Sequence, residues 1–208
     1  MTASQATPQT RIQRRNREVI LEAALEVFAR EGYRGATLDQ IAGEAGLSKP
    51  NLLYYFAGKE AVYRELLEGL LETWLGPLRA LDPAGEPLDE LRGYVRRKLE
   101  MARDQPRESR LFAQEILRGA PRIRETLEGP LKTLVDEKAA VLRGWMRAGR
   151  LRRTDPRHLI FAVWATTQHY ADFDAQVTAV LGDAGEGRFD DAARLLDLLF
   201  VEGMKPRG

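Results

Sequence analysis

An apolar repeat of three and four residues runs through almost the whole chain, and no segment shows the two-residue alternation of a half-buried strand. The chain is therefore expected to be all-α. Glycine and proline divide the repeat into about nine helices, three short ones at the N-terminus and six mostly longer ones after them. Ile20, Ala23, Ala24, Val27 and Phe28 define the first, which stops at Gly32. Thr37-Leu38-Asp39-Gln40 has the form of a capping box, a threonine N-cap with glutamine three residues on. The second helix carries Ile41, Ala42 and Ala45 and ends at Gly46. Ser48 caps a third, where Pro50 is tolerated because first-turn N–H groups lack intrahelical partners, and Phe56 closes it.

From Lys59 the helices lengthen, with Val62, Leu66, Leu70, Trp74 and Leu78 on one face. Residues 79–87 read as a linker. The next helices are expected over 88–104, up to Gly119, from Pro121 to Gly149 with a kink at Gly129-Pro130, from Pro156 to Leu181, and from Phe189 to Met204.

Composition removes several classes of function. The 208 residues contain no cysteine, so disulfides, thiolate metal sites and cysteine nucleophiles are excluded. His158 and His169 have no ligand-like spacing, and neither a metal nor a cofactor is expected. No G-x-S-x-G elbow, H-E-x-x-H, P-loop or dinucleotide fingerprint occurs, so an enzyme is not expected. The longest uncharged apolar run, Leu159 to Ala171, is too short for a membrane span. Residues 1–17 hold Arg11, Arg14, Arg15 and Arg17 without an acid or a signal-peptide core. An organelle transit segment has a similar composition. The reading preferred is a cytoplasmic protein whose residues 1–15 form a mobile basic arm.

Three helices, the second and third joined by a tight glycine turn, describe a helix-turn-helix, with Ile41, Ala45 and Leu47 packing the pair and Ala42 allowing close approach. Around it stands the string Gly32-Tyr33-Arg34-Gly35-Ala36-Thr37, Gly46-Leu47-Ser48-Lys49, Leu53-Tyr54-Tyr55-Phe56 and Lys59-Glu60. Across residues 16–63 this resembles the N-terminal domain of TetR-family transcriptional regulators. The resemblance implies a helix-turn-helix domain, placed at 16–58, followed by a helical ligand-binding and dimerisation domain at 59–208. Further strings narrow it: Thr73-Trp74-Leu75, Lys98-Leu99-Glu100, Gly119-Ala120-Pro121, Asp136-Glu137-Lys138 and Trp164 through Phe173 are similar to the pyrimidine-utilisation (Rut) branch of that family. That branch senses uracil and thymine and controls pyrimidine degradation. The resemblance thus implies a repressor relieved by a small pyrimidine. The alternative is a TetR-type repressor answering a more apolar effector, such as a drug or fatty acid.

The family pattern, joined to side-chain chemistry, puts DNA contacts at Thr37, Ser48, Lys49, Asn51, Tyr54, Tyr55 and Lys59. Asparagine can pair bidentately with adenine, lysine donates to guanine or phosphate, and tyrosine hydroxyls reach the backbone. The competing structural roles are a pure cap for Ser48, a core position for one tyrosine, and a solvated Lys59. Residues 1–60 carry eight basic and seven acidic groups, so charge must be sorted in space. Glu18, Glu22 and Glu26 would share the far face of the first helix while Arg11, Arg14, Arg15 and Arg17 serve the DNA backbone.

For the effector, an indole stacks on a flat base and a glutamine amide matches the alternating C=O and N–H edge of uracil. Trp74, Trp164 and Gln168 are the first candidates, and the resemblance points to the Trp164/Gln168 pair as well. Lys98 falls on the apolar side of its helix, to meet a ligand carbonyl or to snorkel to water. Phe112, Thr167 and Tyr170 are further lining candidates, and core packing is the rival role for each tryptophan. The last two helices suit a two-fold dimer interface through Phe161, His169, Phe173, Val177, Leu195, Leu198, Leu199 and Phe200, which would present two recognition helices to a roughly palindromic double-stranded operator.

Overall fold

The computed structural model describes residues 11–182, 185 and 187–206, and every regular element among them is helical. The chain divides into two compact units at Gly69/Leu70, inside one continuous helix.

The first unit holds α1 (Arg11–Gly35), α2 (Leu38–Glu44), α3 (Lys49–Tyr55) and the first half of α4 (Lys59–Arg79). Ile20, Ala24, Val27 and Phe28 recur at helical spacing along α1 and are fully buried. Each buried isoleucine or phenylalanine contributes about 1.5–3 kcal/mol by removal from water. Gly32 takes φ +67°, and the helical path breaks there. The capping box forms as the sequence indicates: the Gln40 N–H donates to Thr37 Oγ1 at 3.2 Å and the Thr37 N–H to Gln40 Oε1 at 2.8 Å. Gly46, at φ +67°, makes the turn to α3, whose cap Ser48 accepts the Asn51 N–H at 3.3 Å. Ile41 and Ala42 of α2 and Leu52 of α3 are buried in the core of this unit.

One expectation fails here. Helix α1 already begins at Arg11, so Arg11, Arg14, Arg15 and Arg17 are helical instead of belonging to an arm; residues 1–10 of that expected arm lie outside the described residues. The run 11–19 has no Gly or Pro, and nothing in it stops the helix propagating backward from the Ile20 core.

The second unit continues α4 and adds α5 (Pro87–Asp104), α6 (Pro106–Leu117), the short α7 (Arg124–Thr126), α8 (Lys132–Arg147), α9 (Pro156–Asp172), α10 (Asp174–Leu181) and α11 (Gly187–Leu196). Helices α5 and α9 pack along their length, burying Leu91, Tyr94, Val95, Ile160 and Val163. The kink expected at Gly129-Pro130 is a π-helical turn, Leu127–Leu131. Pro130 offers no N–H to the carbonyl four residues back and its ring crowds it, so the helix widens by one residue instead of stopping. The helix expected over 156–181 is broken at Phe173, where the backbone leaves helical geometry (φ −114°, ψ 29°) and α10 restarts. No Gly or Pro marks that break.

Between α6 and α7 the chain turns through Gly119 (φ +85°) and Ala120, a left-handed non-glycine at φ +52°. Glu115, fully buried, holds this turn: its carboxylate accepts the Arg122 N–H at 3.0 Å and Arg122 Nη1 at 3.1 Å. Removing Glu115 takes away both charge-assisted hydrogen bonds of this turn. Glu115→Ala is expected to lower unfolding free energy by about 3 kcal/mol, whereas Leu117→Ala, on an exposed side chain of the same helix, should stay within about 0.5 kcal/mol of the parent. Denaturant unfolding of both variants measures the difference.

Candidate functional site

In the first unit the packing of α2 on α3 turns one set of side chains inward and another outward. Ile41, Ala42 and Leu52 are buried, while Thr37, Ser48, Lys49, Asn51 and Tyr54 are exposed. Lys49 reaches back to Asp39 of α2 (Nζ to Oδ2, 2.9 Å), and both groups are open to water. Tyr54 is 71% exposed with its ring edge-on to Tyr55 at 5.1 Å. The Tyr54 hydroxyl accepts Gln13 Nε2 at 3.3 Å, and the Tyr55 hydroxyl accepts Asn16 Nδ2 at 2.7 Å. Tyr55 is the more sheltered of the two. Both α3 tyrosines are thereby oriented from α1, a link across about forty residues that residue spacing does not reveal.

Two basic residues expected to face DNA are occupied internally. Arg17 pairs with Glu65, donates Nη1 to the Tyr55 carbonyl at 2.7 Å and lies 4.3 Å over the Phe56 ring. Lys59 donates Nζ to the carbonyls of Tyr33 and Ala36, each at 2.8 Å, and sits 4.7 Å over the Tyr33 ring. An ammonium has three N–H donors; two of those on Lys59 satisfy carbonyls at the end of α1. Its first duty is to close that helix end, because the break at Gly32 leaves carbonyls without intrahelical donors.

In the second unit the structure gathers Trp74, Lys98 and Phe112. The Trp74 and Phe112 rings meet edge-on at 5.5 Å, and Lys98 Nζ stands 5.4 Å from the Trp74 ring. Lys98 is 4% exposed, so it does not snorkel. Burial pushes its ammonium down to about 8, opposed by the charge of Asp172. Asp172 is raised by its own burial and held back by the Ser109 hydroxyl, which donates at 2.5 Å, and then by the charges of Arg110, Lys98 and His169. The Trp74 indole N–H donates to Gln105 Oε1 at 3.2 Å. Asp172, Ser109 and Gln105 were absent from the expected set. Their partners lie far along the chain, and only the fold reveals them.

Trp164 donates its indole N–H to the Tyr94 hydroxyl at 2.7 Å. Burial drives the Tyr94 phenol well above its ordinary range, with the Trp164 hydrogen bond opposing it. Thr167 is fully buried and spends its hydroxyl proton on the Val163 carbonyl at 2.7 Å. Gln168 is half-buried on the same helix. Tyr170 points elsewhere: its ring neighbours Phe189 of α11 at 6.0 Å. A groove of about 400 Å³ lies against Trp164 from the other direction, lined by α8, α9 and the π-helical turn, and none of the other expected effector residues borders it.

Of the residues expected to pair two subunits, Phe161, His169, Phe173, Leu195, Leu198 and Leu199 are exposed, with His169 stacked on Phe173 at 5.0 Å. Val177 and Phe200 are buried within the unit and cannot belong to an outward face. Among the described residues no helix is long and apolar enough to cross a membrane.

With this geometry in view, comparison with known proteins is specific. Residues 20–66 match the model for bacterial regulatory proteins of the tetR family, and residues 67–207 that for the C-terminal region of YcdC-like proteins. The chain is 47% identical over 193 residues to the HTH-type transcriptional regulator RutR of Escherichia coli K12, covering 92% of this chain and 91% of that protein. Similar solved structures include the ketosteroid transcriptional regulator KstR2 of Mycobacterium tuberculosis (TM-score 0.70, 22% identity, all of both chains). The fatty acid degradation regulator FadR of Bacillus halodurans is another (TM-score 0.67, 22% identity, 98% of this chain and all of that one). At such identities the two structures speak for the fold alone.

The Lys98 environment has a consequence for stability. Its folded value lies below the ordinary 10.5, so between about pH 8 and 10.5 the unfolded chain holds more protons and stability rises with pH. Below pH 8 the full cost of the buried ammonium is present. Lys98→Met should therefore raise the melting temperature most at neutral pH, and the gap to the parent should shrink at pH 9.5. A gap that is constant across paired melts at pH 7 and 9.5 contradicts this.

Proposed function

The chain belongs to the TetR family of bacterial regulatory proteins and is a transcriptional regulator resembling RutR; from that premise we propose that it represses as a homodimer and is released from its operator by uracil or thymine. Its family binds operator DNA and small effectors. What supports the DNA reading here is the sorting of side chains on α2 and α3, Ile41, Ala42 and Leu52 inward and Thr37, Ser48, Lys49, Asn51 and Tyr54 outward.

On DNA, Thr37 lies at the α2 N-terminus where backbone N–H groups favour a phosphate. Asn51, in the first turn of α3, reads an adenine edge, and Lys49 exchanges Asp39 for a phosphate or guanine. That exchange costs little, since an exposed ion pair contributes about 0–1 kcal/mol. Tyr54 and Tyr55 meet the sugar-phosphate backbone from positions set by Gln13 and Asn16. Lys59 has one N–H left for phosphate, so its contribution is smaller than that of a free lysine. Two copies of α3 in a two-fold dimer reach successive major grooves, about 34 Å apart. Phe173, Leu195, Leu198 and Leu199 supply the apolar face of that dimer.

The effector reading rests on the enclosed set Trp74, Lys98 and Phe112. Aromatic rings offer a flat base its faces, and an ammonium kept from water is a strong donor to a pyrimidine carbonyl. Gln168 supplies an acceptor and a donor for the neighbouring N–H and C=O, with Trp164 one helical turn before it. The pyrimidine shifts DNA affinity only by its differential affinity for the two states of the repressor.

Two outcomes follow. Lys49→Ala with Asn51→Ala should weaken operator binding in gel-shift titrations by about 2–6 kcal/mol together, at about 1–3 kcal/mol for each contact, with the fold unchanged by circular dichroism. Uracil at about a hundredfold its Kd should stabilise the protein by roughly 2.7 kcal/mol, and Gln168→Ala should abolish that shift. A thermal-shift panel of uracil, thymine, cytosine and adenine that stays flat overturns the pyrimidine reading and leaves the regulator.

A further inference from the structure

The groove beside Trp164 is distinct from the Lys98 set and calls for its own occupant. Its walls are Leu127, Leu131, Val135, Phe161 and Trp164, its volume is about 400 Å³, and its rim carries Lys132, Asp136 and Arg157. That volume is within the range of small-molecule sites, roughly 300–1,000 Å³. The π-helical turn contributes to one wall: Leu127 and Leu131, its first and last residues, both border the groove. Such local bulges recur at functional sites. Opposite, Trp164 is fixed by its hydrogen bond to Tyr94, and Phe161 lies 5.6 Å from it, the two rings tilted by 52°.

The rim decides the chemistry. Asp136 receives Lys132 Nζ at 2.5 Å, Arg157 Nη2 at 2.6 Å and Arg157 Nε at 2.9 Å. Hydrogen bonds from Lys132 and then Arg157 hold its carboxyl below the ordinary range, so it stays ionised at neutral pH. Asp155, the neighbouring acid, is engaged with the Arg157 backbone N–H at 2.8 Å. Two cations therefore share one carboxylate, and the lining retains a single positive charge above an apolar floor. A guanidinium has five N–H donors and an ammonium three, of which Asp136 takes two and one. Two donors on Lys132 and three on Arg157 remain for a second carboxylate to meet.

We propose that this groove is a second small-molecule site, selective for compact monocarboxylates with a flat apolar body, the ring lying against Trp164, Phe161 and Leu131 and the carboxylate between Lys132 and Arg157. The site shares Trp164 with the pyrimidine reading but uses none of Trp74, Lys98, Phe112 or Gln168.

Calorimetric titration of the intact protein with 2-naphthoate and with 2-naphthylmethylammonium tests it, since the two probes share a ring system and differ in charge. Saturable binding of naphthoate at one per chain is expected, with the cation about fivefold weaker or worse. Leu131→Glu, at a half-exposed position, should weaken naphthoate about tenfold or more, and Phe161→Ala should weaken it as well. Lys98→Met should leave naphthoate binding intact, which separates this groove from the aromatic set around Trp74. Equal affinity for the two probes, or no saturable binding, overturns the proposal. So does loss of naphthoate binding in Lys98→Met with retention in Leu131→Glu. Dissociation of the protein by Phe161→Ala with unchanged naphthoate affinity also overturns it, since Phe161 would then belong to a contact between copies.

Discussion

A primary amine sealed among helices must keep its proton against the cost of desolvation or give it up, and much of the second unit is arranged around that choice at Lys98. The ammonium faces the Trp74 ring, whose negative face attracts cations. It also feels Asp172 across the packed helices α5 and α9. Asp172 is steadied by Ser109 of α6, so α4, α5, α6 and α9 each contribute a group to one electrostatic cluster. Hydrophobic side chains would fill the same volume with less penalty. Retaining charge there leaves a polar centre in an apolar interior, and such a centre suits a small polar effector better than it suits the fold.

The helix-turn-helix was legible because its determinants are local. Thr37 and Gln40 are three residues apart, Ser48 and Asn51 likewise, and Gly46 supplies the one backbone conformation that the turn needs. The fates of Arg17 and Lys59 were not legible. Both read as free cations in sequence, but their partners are Glu65, at 48 residues' separation, and the Tyr33 and Ala36 carbonyls, at 26 and 23. In the second unit the apolar periodicity of α5 placed Lys98 inward correctly. Periodicity says nothing of what faces it, so Asp172 and Ser109 are legible only in the fold.

Helix ends divided in the same manner. The disturbance at Gly129-Pro130 was visible in residue types, although its resolution into a π-helical turn depends on packing. The break at Phe173 has no such signature, and tertiary contacts overrode an uninterrupted helical pattern there. Val177 and Phe200 show the related limit for surfaces. Apolar composition alone does not tell an outward face from an inner one, and these two turned inward while Leu195, Leu198 and Leu199 did not.

The indole hydrogen bonds have an optical corollary. All three tryptophans, at 74, 145 and 164, fall in the second unit, and each N–H has a different acceptor: a glutamine oxygen, the Pro83 carbonyl and a phenol. The unit that carries the helix-turn-helix has none. Intrinsic indole emission therefore has no reporter within residues 11–69, and three reporters, each with its own N–H acceptor, on the other unit. Any operator that perturbs that emission announces a change relayed along the chain, so coupling between operator and effector is observable in the unlabelled protein.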